Sequence, residues 1–175
     1  MSRKSVLVII LIFVTGLLVY LGYNVIFKVK EKSTIAEKLQ TIPEFEFTDV
    51  DNSKFSNLNL KPNTTIIFIY FNSECDFCQH EAQSISKNLH SFKNVHFLFV
   101  STEAKKAIKH FSETYNINNQ PNITFLHDKS DTFATRFGAS SIPYLLIYDK
   151  HQKLIKKHKG QLNAKGILRV LNATN

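Results

Sequence analysis

The 175 residues contain two cysteines, and they stand three apart as Cys75-Asp76-Phe77-Cys78. A short apolar run, Thr65 to Phe71, and the turn-like stretch Asn72-Ser73-Glu74 precede them, and a segment with helical spacing follows. Two thiols at the start of one helical turn lie on the same side of it, near enough to bridge. A helix N-terminus presents unpaired N–H groups and a partial positive charge. That environment stabilises a thiolate at Cys75 and makes it the nucleophile. Cys78, one turn further in, is the shielded thiol that attacks the first sulfur, closes the disulfide and expels the bound partner. The chemistry this pair supports is reversible, two-electron thiol–disulfide exchange.

Other uses of two thiols are less well served. Half a zinc site needs a second pair, and no further Cys exists and no His follows at finger spacing. As a purely structural cross-link, so small a loop removes little unfolded-state entropy. Copper(I) binding by two soft thiolates, with His80 close by, stays open. His90, His96, His110, His127 and His151 show no ligand spacing, and His158 with the lysines of 153–159 reads as a solvated strand face.

The elements that must position the pair follow from hydropathy. Phe45 to Val50 alternates apolar and polar at a strand's period, and Asp51-Asn52-Ser53 turns it into Phe55 to Leu60, giving an N-terminal hairpin. Thr65 to Phe71 is the continuous apolar run of a buried central strand. A helix over 75–91 carries Phe77, Ala82, Ile85 and Leu89 at one-face spacing. Val95 to Val100 is a second buried strand and 103–115 a second helix. Ile123 to Leu126 gives a third strand, and Asp131 to Phe137 a short helix ending at Gly138. Pro143 to Tyr148 and Leu154 to His158 form a second hairpin about Asp149-Lys150-His151-Gln152, and a last helix covers 163–172. Strands alternating with helices, then a hairpin and a closing helix, predict a three-layer α/β fold with a mixed sheet.

Composition agrees: 43% apolar and 21% charged residues suit a packed core and exclude wholesale disorder. The net charge of +8 comes from 22 Lys and Arg against 14 Asp and Glu. Setting aside Arg3, Lys4, Lys28, Lys30, Lys32 and Glu31 leaves 17 against 13, too scattered an excess for nucleic-acid binding. Those six residues flank Val6 to Phe27, 22 residues without a charge. As a helix this run is roughly 33 Å long, enough for a hydrocarbon layer of about 30 Å. Tyr20 and Tyr23 lie near its end, where such rings favour the lipid–water boundary. It exceeds a signal-peptide core and lacks an A-x-A-like cleavage site, so it is expected to be an uncleaved transmembrane anchor. The expected organisation is a tail over 1–5, the anchor over 6–27, a lysine-rich tether over 28–43 and an α/β domain over 44–175.

With these residues in order, the chain resembles the thioredoxin-like superfamily. The resemblance covers roughly 43–172 and is nearest the TlpA/ResA-type, membrane-anchored thiol–disulfide oxidoreductases, redoxins related to the AhpC/TSA proteins. It rests on the N-terminal hairpin, the strand into Cys75-Asp76-Phe77-Cys78, Glu81, a strand–helix–strand insertion and Ser141-Ile142-Pro143-Tyr144. It implies catalytic roles for Cys75, Cys78 and Glu81. It also implies a cis Pro143 beside the disulfide, and an Ile142 whose backbone pairs with a substrate peptide. Glu81, at i+3 from Cys78, points under the pair, and burial there would raise its pKa and let it carry the exchange proton. The strand position where general thioredoxins hold an aspartate is Ile69 here, leaving Glu81 as the candidate.

The resemblance further implies disulfide-containing protein substrates such as apocytochromes c and a membrane electron-donor thiol protein. It implies no cofactor beyond the Cys75–Cys78 disulfide, a monomeric state and an extracytoplasmic (periplasmic) catalytic domain. The sequence departs from the family at Glu74, where a Trp is usual, and at the Asp76-Phe77 dipeptide. The two carboxylates beside Cys75 disfavour its thiolate, which predicts a more reducing couple. A peroxiredoxin-like peroxidase, which would carry Thr where Asn72 stands, and a non-catalytic copper module are the alternatives.

Overall fold

The computed structural model describes residues 3–174 and divides into two compact units, the second beginning at Lys38. Helix α1 (Arg3–Lys38) forms the first unit up to Glu37 and ends on the first residue of the second. Among the described residues no helix is long and apolar enough to cross a membrane. The side chains of residues 6–12 and 25, which belong to the expected anchor, lie outside the described residues. Where it is described, α1 exposes Leu17, Leu18, Val19, Tyr20 and Leu21 in succession, so its apolar surface runs all the way round.

The stretch expected as a tether divides between the two units. Residues 28–38 continue α1, because Lys, Glu and Ala are good helix formers and neither Gly nor Pro interrupts them before Pro43. Residues 39–43 belong to the second unit: Leu39 and Ile42 are buried, Thr41 bridges to Lys153, and Leu154 N–H donates to the Gln40 carbonyl.

The second unit is built on a seven-stranded sheet. In chain order it contains β1 (Glu46–Asp49), β2 (Lys54–Ser56), β3 (Thr65–Tyr70), α2 (Asp76–Lys87), β4 (Val95–Ser101) and α3 (Lys105–Thr114). These are followed by β5 (Ile123–His127), α4 (Phe133–Phe137), β6 (Tyr144–Tyr148), β7 (Leu154–Lys159) and α5 (Ala164–Asn172). The strand order is β2-β1-β5-β4-β3-β6-β7. β3, β4 and β5 run parallel, and the outer strands pair antiparallel.

Alternation along the strands sends two different sets of side chains to the two faces. Ile67, Ile69, Phe71, Phe97, Phe99, Phe125, Leu145 and Ile147 pack with α2, α3 and α5 through Ala82, Ile85, Ile108, Phe111 and Ile167. On the other face Phe68 and Tyr70 meet Phe45, Phe133 and Phe137. The predicted mixed three-layer α/β architecture is therefore present, with helices on both faces of one sheet.

Two boundaries moved by four residues. The second strand of the first hairpin ends at Ser56, where Ser56 and Asn59 form a capping box that opens a 3₁₀ turn over Asn57–Asn59. Helix α2 stops at Lys87, and a separate 3₁₀ turn covers Leu89–Ser91.

The two hairpins at opposite edges of the sheet use the same turn. Asp49 Oδ1 accepts from Asp51 and Ser53 N–H, and Asp149 Oδ1 accepts from His151 and Lys153 N–H. The fourth residue is left-handed in both, Asn52 at φ 72° and Gln152 at φ 60°. Such side-chain caps let non-glycine residues hold these corners.

Candidate active site

The nucleophile's position is set where β3 ends. Phe71 N–H still bonds to the Val100 carbonyl, and then the chain leaves the sheet through Asn72-Ser73-Glu74. Asn72 shapes the turn: its Oδ1 accepts from Glu74 N–H at 2.9 Å and its carbonyl from Cys75 N–H at 3.2 Å. Cys75 is the N-cap of α2, with extended backbone (φ −86°, ψ 112°) and no side-chain cap. Its thiol therefore sits where the helix's first N–H groups converge. Both cysteines are free thiols, Cys75 half-buried and Cys78 2% exposed. This difference in access is what separates an attacking from a resolving thiol.

Phe77 departs from the sequence reading. Expected on the buried helix face, it is 62% exposed. The buried stripe of α2 is Cys78, Glu81, Ala82 and Ile85, and Phe77 falls about one residue's rotation (~100°) off it. Glu74 and Asp76 are exposed too, and both lie close enough to Tyr115 to raise its phenol pKa, after the effect of burial.

Glu81 lies fully buried one turn beneath Cys78. Its Oε1 accepts from Leu162 N–H at 2.9 Å, and its Oε2 has no partner. Burial pushes its carboxyl up to about 8, and the Leu162 hydrogen bond pulls weakly the other way. The Cys78 thiol is held well above its ordinary value, first by burial, then by its hydrogen bond to Cys75 and by the charges of Cys75 and Glu81. The face under the cysteines thus holds two titrating groups that are both neutral at pH 7 and electrostatically coupled.

The opposite wall comes from far along the chain. The antiparallel register of β3 with β6 sets Tyr144 against Tyr70, so Ile142-Pro143 arrives beside the loop that carries Cys75. The Ile142–Pro143 peptide is cis, Pro143 is buried, and Ile142 is 40% exposed. Cys75 Sγ lies 3.9 Å from the Ile142 carbonyl oxygen. The segment after β7 joins both sides: Gly160 N–H donates to the Pro143 carbonyl at 2.8 Å, and two residues on Leu162 reaches Glu81. Gly160 has φ 83°, a conformation that glycine adopts without penalty.

All five residues expected at the site, Cys75, Cys78, Glu81, Ile142 and Pro143, therefore converge at one end of the sheet. Sequence reasoning missed Glu103, whose carboxylate takes two hydrogen bonds from Ser73, and Gln79, whose amide donates to the Ser73 carbonyl at 2.8 Å. It also missed Leu162. No local pattern marks Glu103 and Leu162, which act across 30 and 81 residues, whereas Gln79 reaches back only six residues to Ser73. The cavity beside the cysteine loop, lined by Ser73, Glu74, Gln79, His110, Phe111 and Tyr115 among others, holds only about 170 Å³. Among the described residues no group of three or more His, Cys, Asp and Glu side chains could hold a metal ion.

The AhpC/TSA family model matches residues 39–158, most of the second unit. The chain belongs to the AhpC/TSA family. It is an oxidoreductase of the redoxin type, carried on a thioredoxin-like α/β fold with a mixed sheet. A secreted disulfide oxidoreductase of Mycobacterium tuberculosis, homologous to E. coli DsbE, is 21% identical with a TM-score of 0.63, covering 78% of this chain and 98% of that one. MTB DsbF is likewise 21% identical (TM-score 0.64; 79% and 97% covered). The peroxidoxin BcpB of Mycobacterium tuberculosis is 16% identical at a TM-score of 0.66, covering 77% and 96%. At such identities the likeness speaks for the fold alone. No curated protein matches the chain.

Proposed function

We propose that this redoxin is a membrane-anchored reductant of protein disulfides, of the TlpA/ResA type, working outside the cytoplasm. The observation that carries the reading is the stacking of three groups along α2: an accessible Cys75, a buried Cys78 and a buried Glu81 with one oxygen unpartnered. Cys75 thiolate attacks one sulfur of a substrate disulfide; that S–S bond breaks, a mixed disulfide forms, and the leaving thiolate takes a proton. Cys78 then needs to lose its proton, and its burial makes that costly without a base. Glu81 in its ionised form, reached as pH rises toward about 8, accepts the proton on its free oxygen, Cys78 attacks the Cys75 sulfur, and the second substrate thiolate leaves and is protonated. Two electrons pass to the substrate and the protein is left with a Cys75–Cys78 disulfide, its sole redox group. A donor thiol protein in the membrane restores the dithiol.

The substrate is macromolecular on this reading. A cavity of about 170 Å³ is below the roughly 300–1,000 Å³ usual for small-molecule sites. The exposed Phe77 and Ile142 instead offer apolar contacts on the surface around Cys75. Ile142 supplies backbone groups to an extended substrate segment such as that of an apocytochrome c, and Pro143 holds it beside the sulfur. Val6 to Phe27 is the anchor; the all-round apolar surface of α1 between Leu17 and Leu21 supports this, as does the charge-free length of the run. The protein acts as a monomer with its domain in the periplasm.

In intact cells carrying Cys78→Ser, the expected result is a mixed disulfide on Cys75 with an exported protein, and Cys75 labelled by an impermeant maleimide. Recovery of no disulfide partner, with the purified wild type silent in a glutathione buffer, would sink the exchange reading. Protection from the maleimide would place the domain on the other side. Membership of the AhpC/TSA family supports one second reading, a thiol peroxidase. Rapid peroxide consumption lost in Cys75→Ser would replace the first reading with this one.

A further inference from the structure

We propose that Glu103 is a positioning residue for Cys75, gripping the chain two residues before the nucleophile. Glu103 lies in the short connection between β4 and α3 and touches neither sulfur in the described contacts. Its carboxylate takes two hydrogen bonds from one residue: Ser73 N–H to Oε2 at 2.6 Å and Ser73 Oγ–H to Oε1 at 2.7 Å. Two short, charge-assisted bonds to a backbone donor and a side-chain donor fix both the distance and the twist of that residue. The grip is itself rooted in the sheet. Ser101, fully buried at the end of β4, donates its hydroxyl to Glu103 Oε2 and accepts from Glu103 N–H, each at 3.2 Å.

Ser73 is thereby held on three sides, since Gln79 Nε2 bonds its carbonyl from α2. Beyond Ser73 the Asn72 turn links the loop to Cys75, whose carbonyl in turn accepts from Gln79 N–H at 3.0 Å at the start of α2. The placement of Cys75 Sγ, against both Cys78 and the Ile142 carbonyl, therefore depends on the Glu103–Ser73 pair. A shift of about 1 Å at a reacting atom costs on the order of 100-fold in rate. A looser Cys75 also meets Cys78 less often, so the intramolecular disulfide forms less favourably.

This role rests on the thiol-exchange reading, and the wild type separates the two: if wild-type protein shows no exchange, that reading fails before any variant is compared. Given exchange, Glu103→Ala is expected to slow reduction of a disulfide peptide about 10–100-fold. It also lowers the equilibrium constant for closing Cys75–Cys78 against glutathione about tenfold, which is about 30 mV toward a more oxidising couple. Glu103→Gln keeps an acceptor for Ser73 N–H and a donor for Ser73 Oγ, and it is expected to stay within about threefold of wild type. Ser73→Ala removes one of the two bonds and falls between. Ser73→Ala/Glu103→Ala is no worse than Glu103→Ala, since both remove the same contact. A Glu103→Ala protein with a lower Tm but an unchanged rate and glutathione equilibrium overturns the proposal. Should Glu103→Ala not fold, Ser73→Ala decides: an unchanged rate and equilibrium constant there overturn it equally.

Discussion

The two faces of the sheet are made from the same strands by alternation, yet they are different materials. The face under α4 is a contiguous aromatic packing: Phe133 and Phe137 stack at 4.4 Å, Phe68 sits 5.0 Å from Phe137, and Phe45, Phe47, Tyr70 and Tyr148 complete it. The face under α2, α3 and α5 is equally closed to water, but Cys78 and Glu81 are buried in it. Among the described residues each face contains one unpartnered buried side-chain oxygen, Tyr148 Oη on the first and Glu81 Oε2 on the second. Burial drives the Tyr148 phenol far above any working pH, so it stays a neutral, silent hydroxyl. The same burial brings the Glu81 carboxyl to about 8, where it can exchange a proton. Desolvation acts alike on both faces, and the identity of the buried group decides whether the result is inert or reactive.

That contrast can be broken most sharply by one substitution on each face. Cys75→Ser is expected to abolish dithiol exchange with glutathione while leaving Tm within about 2 °C of wild type, since a half-buried thiol gives way to a smaller hydroxyl. Phe68→Ala should do the reverse, costing about 3–5 kcal/mol in urea unfolding while the folded fraction exchanges at a near-normal rate. Loss of exchange in a fully folded Phe68→Ala protein would show that the aromatic face is not merely a support.

Next in size is the proton carrier. In wild type the resolution step should accelerate as pH rises through about 8, because the ionised Glu81 is the base. Glu81→Gln should slow that step by about 100- to 10,000-fold and flatten the rise. Stopped-flow decay of a preformed mixed disulfide reads both quantities.

The same substitution has an opposite effect on stability. Below the ordinary carboxyl value of 4.5, Glu81 is protonated in folded and unfolded states alike. Between 4.5 and about 8 the unfolded chain gives up its proton while the folded one keeps it, so stability drains away as pH rises across that window. Glu81→Gln removes this loss. Its Tm should therefore exceed that of wild type by several degrees at pH 9 and by little at pH 4, as melting curves across the range would show.

Smaller still is the surface charge around Cys75. Neutralising Glu74 and Asp76 together, as Glu74→Gln/Asp76→Asn, removes two carboxylates that oppose the thiolate. The couple should become more oxidising by about 30 mV or less in a glutathione titration, and a shift toward reducing values would refute this electrostatic account. Smallest is the Lys54–Glu46 pair at 3.1 Å, with both side chains largely in water. Lys54→Ala should change stability by less than about 1 kcal/mol, as solvated pairs usually do.

Much of the fold is legible in the sequence, because its signals are local. The apolar runs of β3 and β4, the alternation through Phe45 to Val50 and the helix end at Gly138 each fall within a few residues of where the chain places them. The sequence signal is weaker where two local cues compete. Lys28 to Lys38 reads as a polar linker by composition but as helix by propensity, and propensity won in the absence of Gly or Pro. Phe77 and Cys78 are both apolar neighbours in one helix, and only the direction of the sheet decided which of them faces it.

By itself the sequence determined that two thiols stand at a strand–helix junction with a carboxyl one turn below them. Spacing along a single helix is enough for that, since 3.6 residues per turn is independent of surroundings. Tertiary structure alone decided what those groups became. It closed water off from Glu81, brought Leu162 N–H to one of its oxygens, set the Ile142 carbonyl near a sulfur 67 residues away, and tied Ser73 to Glu103 across 30 residues. Desolvation and hydrogen bonding depend on what comes to lie near a residue in space, and nothing in the residue's own neighbourhood along the chain encodes them.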